Sequence, residues 1–216
     1  MSAGRSALER DADTRALFPT LVYDAALGAR GVRALNEELV REAYQIAEVD
    51  TAGQDWSAQR YPGGYTSYSS LDQLHRMSPS VMTLARHLTR HAQRFAQRLH
   101  WDMGEGALVM SDCWVSIMGE GCGHPGHLHP LAVVSGTYYA AAPRGASGLR
   151  FEDPRLASFM AAPPRSAEAP EHLRPHVLLP ARSGRLYLFE SWLRHEVPPS
   201  AVSEDRISFS FNFVWE

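Results

Sequence analysis

A chain of 216 residues is long enough to bury a sizeable core and short enough to form a single domain. Hydrophobic residues at 44% and charged residues at 21% sit near globular averages, and no apolar run approaches the roughly 18 residues of a membrane-crossing helix. The formal net charge is −3 and every basic residue is arginine, with no basic block, which removes the electrostatic case for nucleic acid or a membrane surface. Met1 to Arg15 has no apolar stretch of the kind a secretory signal needs, and two cysteines are too few for a disulfide scaffold. The cytoplasm is the expected compartment.

In chain order, residues 1–16 are polar and expected to be mobile. Leu17 to Tyr23 reads as a short edge strand entered through Pro19. From Arg30 to Ala47 the apolar positions Val32, Leu35, Leu39, Ala43 and Ile46 recur every three or four residues and predict a helix with one buried face. Residues 50–75, rich in Gly, Ser and Tyr, hold no period and predict a loop over the site. Ser78 as N-cap and Pro79 at the first helical position then open a second helix, whose stripe is Val81, Leu84, Leu88, Ala92, Phe95 and Leu99. His87, His91 and His100 on that helix read as surface or boundary residues, and His75 before the cap has no companion at metal spacing.

From residue 108 the pattern changes to period two. Val109 to Met118 alternates as a strand, with Cys113 a small core residue. Gly119 to Gly123 is a turn holding Cys122, which is also a candidate soft ligand. Strands follow at 133–140, 148–152, 176–179 and 185–190, interrupted by a Pro- and Ala-rich loop at 154–174. The last strand, from Arg206 to Trp215, is two-faced: Arg206, Ser208, Ser210 and Asn212 on one side, and Ile207, Phe209, Phe211, Phe213 and Trp215 on the other. The aromatic face must pack on something apolar, most simply the two helices, and the polar face then looks into a cavity or into solvent. A helical first third followed by a sandwich or barrel of about eight strands is the expected architecture.

The chemistry concentrates in His124-Pro125-Gly126-His127-Leu128-His129-Pro130. On an extended segment His127 and His129 project to the same side and converge on one ion, and a third ligand from a distant strand completes a facial set with positions left open. His195, which follows the strand 185–190, is the candidate. Imidazole alone does not choose the metal. Arg206 returns eleven residues later on the inward face, with Ser208 beside it. An inward guanidinium needs a partner, and its planar fork suits a carboxylate; a salt bridge to Glu204 or Asp205 is the alternative.

His-x-His, then Ser135-Gly136-Thr137-Tyr138-Tyr139, then Ser191-Trp192-Leu193-Arg194-His195, then Arg206-Ile207-Ser208-Phe209-Ser210-Phe211-Asn212 resembles the 2-oxoglutarate and Fe(II)-dependent oxygenase superfamily, in particular a bacterial and phage branch. The resemblance covers about residues 108–215. It implies a double-stranded β-helix, or jelly roll, of cupin-like form, mainly β with flanking N-terminal helices. It also implies Fe(II) held by His127 and His195, and 2-oxoglutarate as co-substrate with its distal carboxylate on Arg206 and Ser208. The chain would then be one domain, with residues 17–100 as helical support and loop and 101–216 as the jelly-roll core. Most of the superfamily carries a carboxylate where this chain has His129. His129 is taken as the third ligand, and Glu152, Asp153 or His124 are the alternatives. Tyr139 is the preferred tyrosine for a hydrogen bond to the co-substrate, and Trp114 and Asn212 read as core or network residues.

The reading is a dioxygenase that hydroxylates a small-molecule or peptide substrate, with residues 50–75 and 154–174 shaping its pocket. Two other readings stay open: a three-histidine, cupin-like iron dioxygenase that uses no 2-oxoglutarate, and a jelly-roll binding protein whose metal is structural or absent. No nucleic-acid or membrane partner is expected, and short edge strands permit a homodimer.

Overall fold

In chain order the computed structural model, which describes residues 14–28 and 30–216, begins with β1 (Val22–Ala26), α1 (Val32–Val49), α2 (Thr51–Arg60), β2 (Gly64–Thr66), α3 (Leu74–Met77) and α4 (Pro79–Arg98). Eight strands follow: β3 (Leu108–Met118), β4 (His124–His127), β5 (Val134–Ala141), β6 (Leu149–Glu152), β7 (His176–Leu179), β8 (Arg185–Glu190), β9 (His195–Val197) and β10 (Arg206–Trp215). They form two antiparallel sheets, a larger one in the order β1-β8-β5-β10-β3-β2 and a smaller one in the order β4-β9-β6-β7. The chain crosses repeatedly between the sheets, with β3, β5, β8 and β10 in the larger and β4, β6, β7 and β9 in the smaller. This is the jelly roll that the family resemblance implied.

The larger sheet has a buried core on each face, which its strand alternation dictates. On the outer face Ile207, Phe209, Phe211 and Phe213 of β10 join Cys113, Val115, Leu186 and Leu188 against α1 and α4. Val81, Leu84, Leu88 and Phe95 of α4 are 0–1% exposed, and burying them contributes on the order of 6–12 kcal/mol before entropy is subtracted. Ser78 caps the helix as expected, its Oγ accepting from the Val81 N–H at 3.2 Å. On the inner face Tyr139, Tyr187 and Phe189 meet Leu149, Phe151 and Val197 of the smaller sheet. The site lies in this second layer, between the sheets.

Several expectations shift. The edge strand begins at Val22 rather than Leu17, and Leu17 and Phe18 before it are exposed. Most of the mobility expected of residues 1–16 falls outside the described residues. The segment 50–75 is no simple loop, since it holds α2, β2 and the start of α3. Trp215 leaves the aromatic face half-exposed at the strand's end. His91 is not at the surface: it is buried, paired with the Tyr23 hydroxyl at 3.0 Å and the Leu27 carbonyl at 3.2 Å. Both cysteines are free and buried. Among the described residues no helix is long and apolar enough to cross a membrane.

Candidate metal centre and anion pocket

Pairing of β4 with β9 sets His127 directly opposite His195, so two residues 68 apart in sequence share one rung of the smaller sheet. A shift in register between His124 and His127 accommodates Pro125 and Gly126. A Cβ on Gly126 would stand 2.9 Å from the Arg194 guanidinium, which would have to swing aside. His129 follows in the crossover to β5, and its backbone N–H donates to the Ser191 carbonyl at 3.1 Å. Ser191 is itself held by Ser135, which also donates to Asn212 Oδ1, each at 2.8 Å. Asn212 thus belongs to a network that fixes the turn bearing His129.

The three imidazoles converge, with ligand atoms of His127, His129 and His195 all within 4.8 Å of one another. His127 Nδ1–H donates to the Pro125 carbonyl at 2.8 Å and His195 Nδ1–H to the Leu193 carbonyl at 2.9 Å, which leaves each Nε2 with a free lone pair. The Nε2 atoms of His129 and His195 stand 3.3 Å apart, close to the separation of two neighbouring ligands each bound at roughly 2.1 Å. Burial drives all three rings below the ordinary histidine range, reinforced for His129 and His195 by the neighbouring imidazoles, to about 3 for those two. Neutral imidazole is the form that binds a cation.

The alternatives for the third ligand lie elsewhere. Glu152 faces Arg194 at 3.6 Å and His176 at 3.8 Å, and Asp153 is held by Arg155 at 2.8 Å. His124 packs edge-on against His127, with ring centroids 4.1 Å apart, and lines the cavity outside the three-histidine group. Burial, then the charge of the neighbouring groups, lowers it to about 4.

Arg206 lines the same cavity of about 330 Å³ as the three histidines. It is 4% exposed, and among the described residues no carboxylate lies within ion-pair distance of it. Nη1 donates to the Ser147 carbonyl at 2.9 Å, Nη2 contacts Met118 Sδ at 2.7 Å and Ser208 Oγ at 3.5 Å, and Nε has no partner. Asp205, the alternative partner, instead accepts from the Tyr44 hydroxyl at 2.8 Å. Tyr139 lies with its ring 5.5 Å from the Arg206 guanidinium, and its buried hydroxyl also lacks a partner. Burial pushes that hydroxyl up to about 12, so it remains a donor. A buried guanidinium with an unfilled donor on the cavity wall fits a carboxylate ligand, whereas Tyr139 stands behind Arg206 and is not among the residues lining the cavity. The polar face of β10 is therefore a cavity wall: Ser208, Ser210 and Asn212 line it with Arg206.

Trp56, Tyr61, Thr66 and Tyr68 line the cavity from the segment 50–75, which is expected over the site, but none of the four carries a signal of its own in the sequence. Trp114 also lines it, beyond a core role. Among the described residues of 154–174 none does.

Residues 112–212 match the family model described as "Putative 2OG-Fe(II) oxygenase". No curated protein matches the chain. Several solved structures share its fold at low identity. A Pseudomonas putida prolyl-4-hydroxylase is 16% identical with a TM-score of 0.58, over 90% of this chain and 92% of that one. HygX from Streptomyces hygroscopicus, solved with nickel, 2-oxoglutarate and hygromycin B, is 15% identical with a TM-score of 0.58, over 91% and 83%. A Trichoplax adhaerens prolyl hydroxylase, solved with a hypoxia inducible factor peptide, is 14% identical with a TM-score of 0.53, over 88% and 83%.

Proposed function

We propose that this chain is a 2OG-Fe(II) oxygenase, the family whose model matches residues 112–212, and that it couples decarboxylation of 2-oxoglutarate to succinate with hydroxylation of a second substrate. In this reading His127, His129 and His195 hold Fe(II), and Arg206 and Ser208 receive the distal carboxylate of 2-oxoglutarate, with Tyr139 behind Arg206. The iron supplies activation of O₂ when bound. The chain's own residues hold it on one sheet, orient the co-substrate from the other and shield the site between them. Nickel and 2-oxoglutarate in the HygX structure support the choice of ligands. The second substrate is a small molecule or a peptide, and the compartment is cytoplasmic, in keeping with two free, buried cysteines.

One observation carries the reading: a buried guanidinium without an anion, in the same cavity as three converging neutral imidazoles. A lone buried charge is costly, and a dianionic co-substrate relieves that cost. Anaerobic titration of the Fe(II)-loaded protein with 2-oxoglutarate should develop the visible absorption of a metal chelate. Arg206→Ala should raise the 2-oxoglutarate Kd by roughly 30-fold or more, about 2 kcal/mol, while metal affinity changes by less than about twofold. Equal loss of metal and co-substrate binding would sink the assignment, as would turnover of a substrate without 2-oxoglutarate.

A further inference from the structure

We propose that Trp56, Tyr68 and Trp114 form the recognition wall for the second substrate, and that this wall admits an uncharged, ring-sized group. The inference rests on the oxygenase reading above and extends it to substrate class. Three side chains from separate elements make one continuous surface. Trp56 of α2 meets Tyr68 at 6.3 Å between centroids and 60° between planes, and Tyr68 meets Trp114 of β3 at 5.0 Å and 65°. Trp114 in turn stands 5.9 Å from the ring of His129. A group resting on this wall therefore lies beside the metal centre.

The wall is open where a ligand must enter. Tyr68 is 50% exposed although it is packed between two indoles, whereas Trp114 at the inner end is 7% exposed. All three line the cavity. Exposed aromatic surface leading to a buried aromatic floor is the arrangement that takes a flat or saturated ring, because the ring buries its faces without a large loss of side-chain entropy.

Charge sets the class. Among the described residues no Asp or Glu lines the cavity, and its one arginine is Arg206, which the co-substrate engages. The nearby Asp112 carboxylate is engaged by Ser111 at 2.7 Å and Asn212 at 3.1 Å. An ammonium on the second substrate would lose its hydration and find no counter-ion, and a carboxylate would find only Arg206 and the metal, both already engaged by the co-substrate. Size limits what enters. The cavity of about 330 Å³ is small for a ligand site and must also hold 2-oxoglutarate, so a larger substrate enters by one ring and keeps the rest outside.

The test uses protein labelled with 5-fluorotryptophan and loaded with Ni(II) and 2-oxoglutarate. It is titrated with benzyl alcohol, benzylammonium and benzoate, which share a ring and differ in charge. Benzyl alcohol should shift the Trp56 and Trp114 resonances saturably and leave those of Trp101 and Trp215 in place, with the two charged probes binding at least tenfold more weakly. Tyr68→Ala should raise the benzyl alcohol Kd about tenfold and Tyr68→Phe should restore it, with the 2-oxoglutarate Kd unchanged in both. A charged probe that binds as tightly as the alcohol would overturn the uncharged class. Unmoved wall resonances, or a Kd indifferent to Tyr68→Ala, would overturn the wall itself. Wild-type protein that takes up neither Ni(II) nor 2-oxoglutarate would overturn the oxygenase reading, and this proposal with it, before any ring is added.

Discussion

In the proposed reading, the cost of burying Arg206 and its role in binding the co-substrate are the same fact. Its guanidinium is 4% exposed, has a carbonyl and a thioether as its closest partners, and leaves Nε unfilled. Replacing such a group with an apolar side chain of similar length removes a desolvation cost and keeps the packing. Arg206→Met without ligands should therefore melt at or above the wild-type temperature, while 2-oxoglutarate raises its melting temperature by much less than it raises that of the wild type. A variant that melts several degrees lower would show the guanidinium to be a structural brace. The sequence exposed this residue because a charge at the head of an alternating strand, two positions before a serine, has few explanations. It could not expose Tyr61: a tyrosine after Arg60 in a Gly-rich stretch carries no mark of the cavity it lines.

The segment from α2 to β2 shows why elements differ in legibility. β10 and α4 announce themselves because each buries a continuous apolar face at its own period. α2 buries only Gly53 and Ser57, and β2 is three residues long, so neither writes a periodic signal. A single carboxylate organises them instead. Asp50 accepts from the Gly53 N–H at 3.0 Å, the Tyr65 hydroxyl at 2.7 Å and the Ser70 hydroxyl at 2.5 Å, which ties the start of α2, β2 and the turn after Tyr68 together. Burial pushes the Asp50 carboxyl up, but these three donors outweigh it and hold its pKa below the ordinary value. A depressed carboxylate contributes stability that is fully present above its unfolded pKa, near 4, and is lost as pH falls through the folded value. Asp50→Asn should therefore cost about 1–3 kcal/mol at pH 6–7, and the gap to wild type should narrow steadily as pH is lowered from about 4 toward 3. Parallel stability curves across that range would show that the charge contributes nothing. Because Trp56 and Tyr68 ride on this segment, the same variant should loosen the cavity wall.

At the scale of the whole molecule, the site is a joint between two sheets. His127 and His195 belong to β4 and β9 of the smaller sheet, with His129 in the crossover beside them, while Arg206 and Ser208 belong to β10 of the larger sheet. The sequence revealed both halves but not their apposition, since β4 and β9 are four and three residues long and gave no strand signal of their own. A ligand that touches the metal at one end and Arg206 at the other ties the sheets together, which neither the metal nor the acid does alone. Stabilisation by ligand follows from mass action and reaches about 2.7 kcal/mol at a hundredfold excess over Kd. For a chain of this length each kcal/mol moves the midpoint by about 2–4 °C. With Ni(II) in place, 2-oxoglutarate at that excess should thus raise the melting temperature by roughly 5–10 °C. In the presence of a chelator the same concentration should raise it by less than about 2 °C, because Arg206 alone then holds the acid. Measured by differential scanning calorimetry, equal shifts with and without metal would mean that the co-substrate binds one sheet only, and the bridge between the two would have to be abandoned.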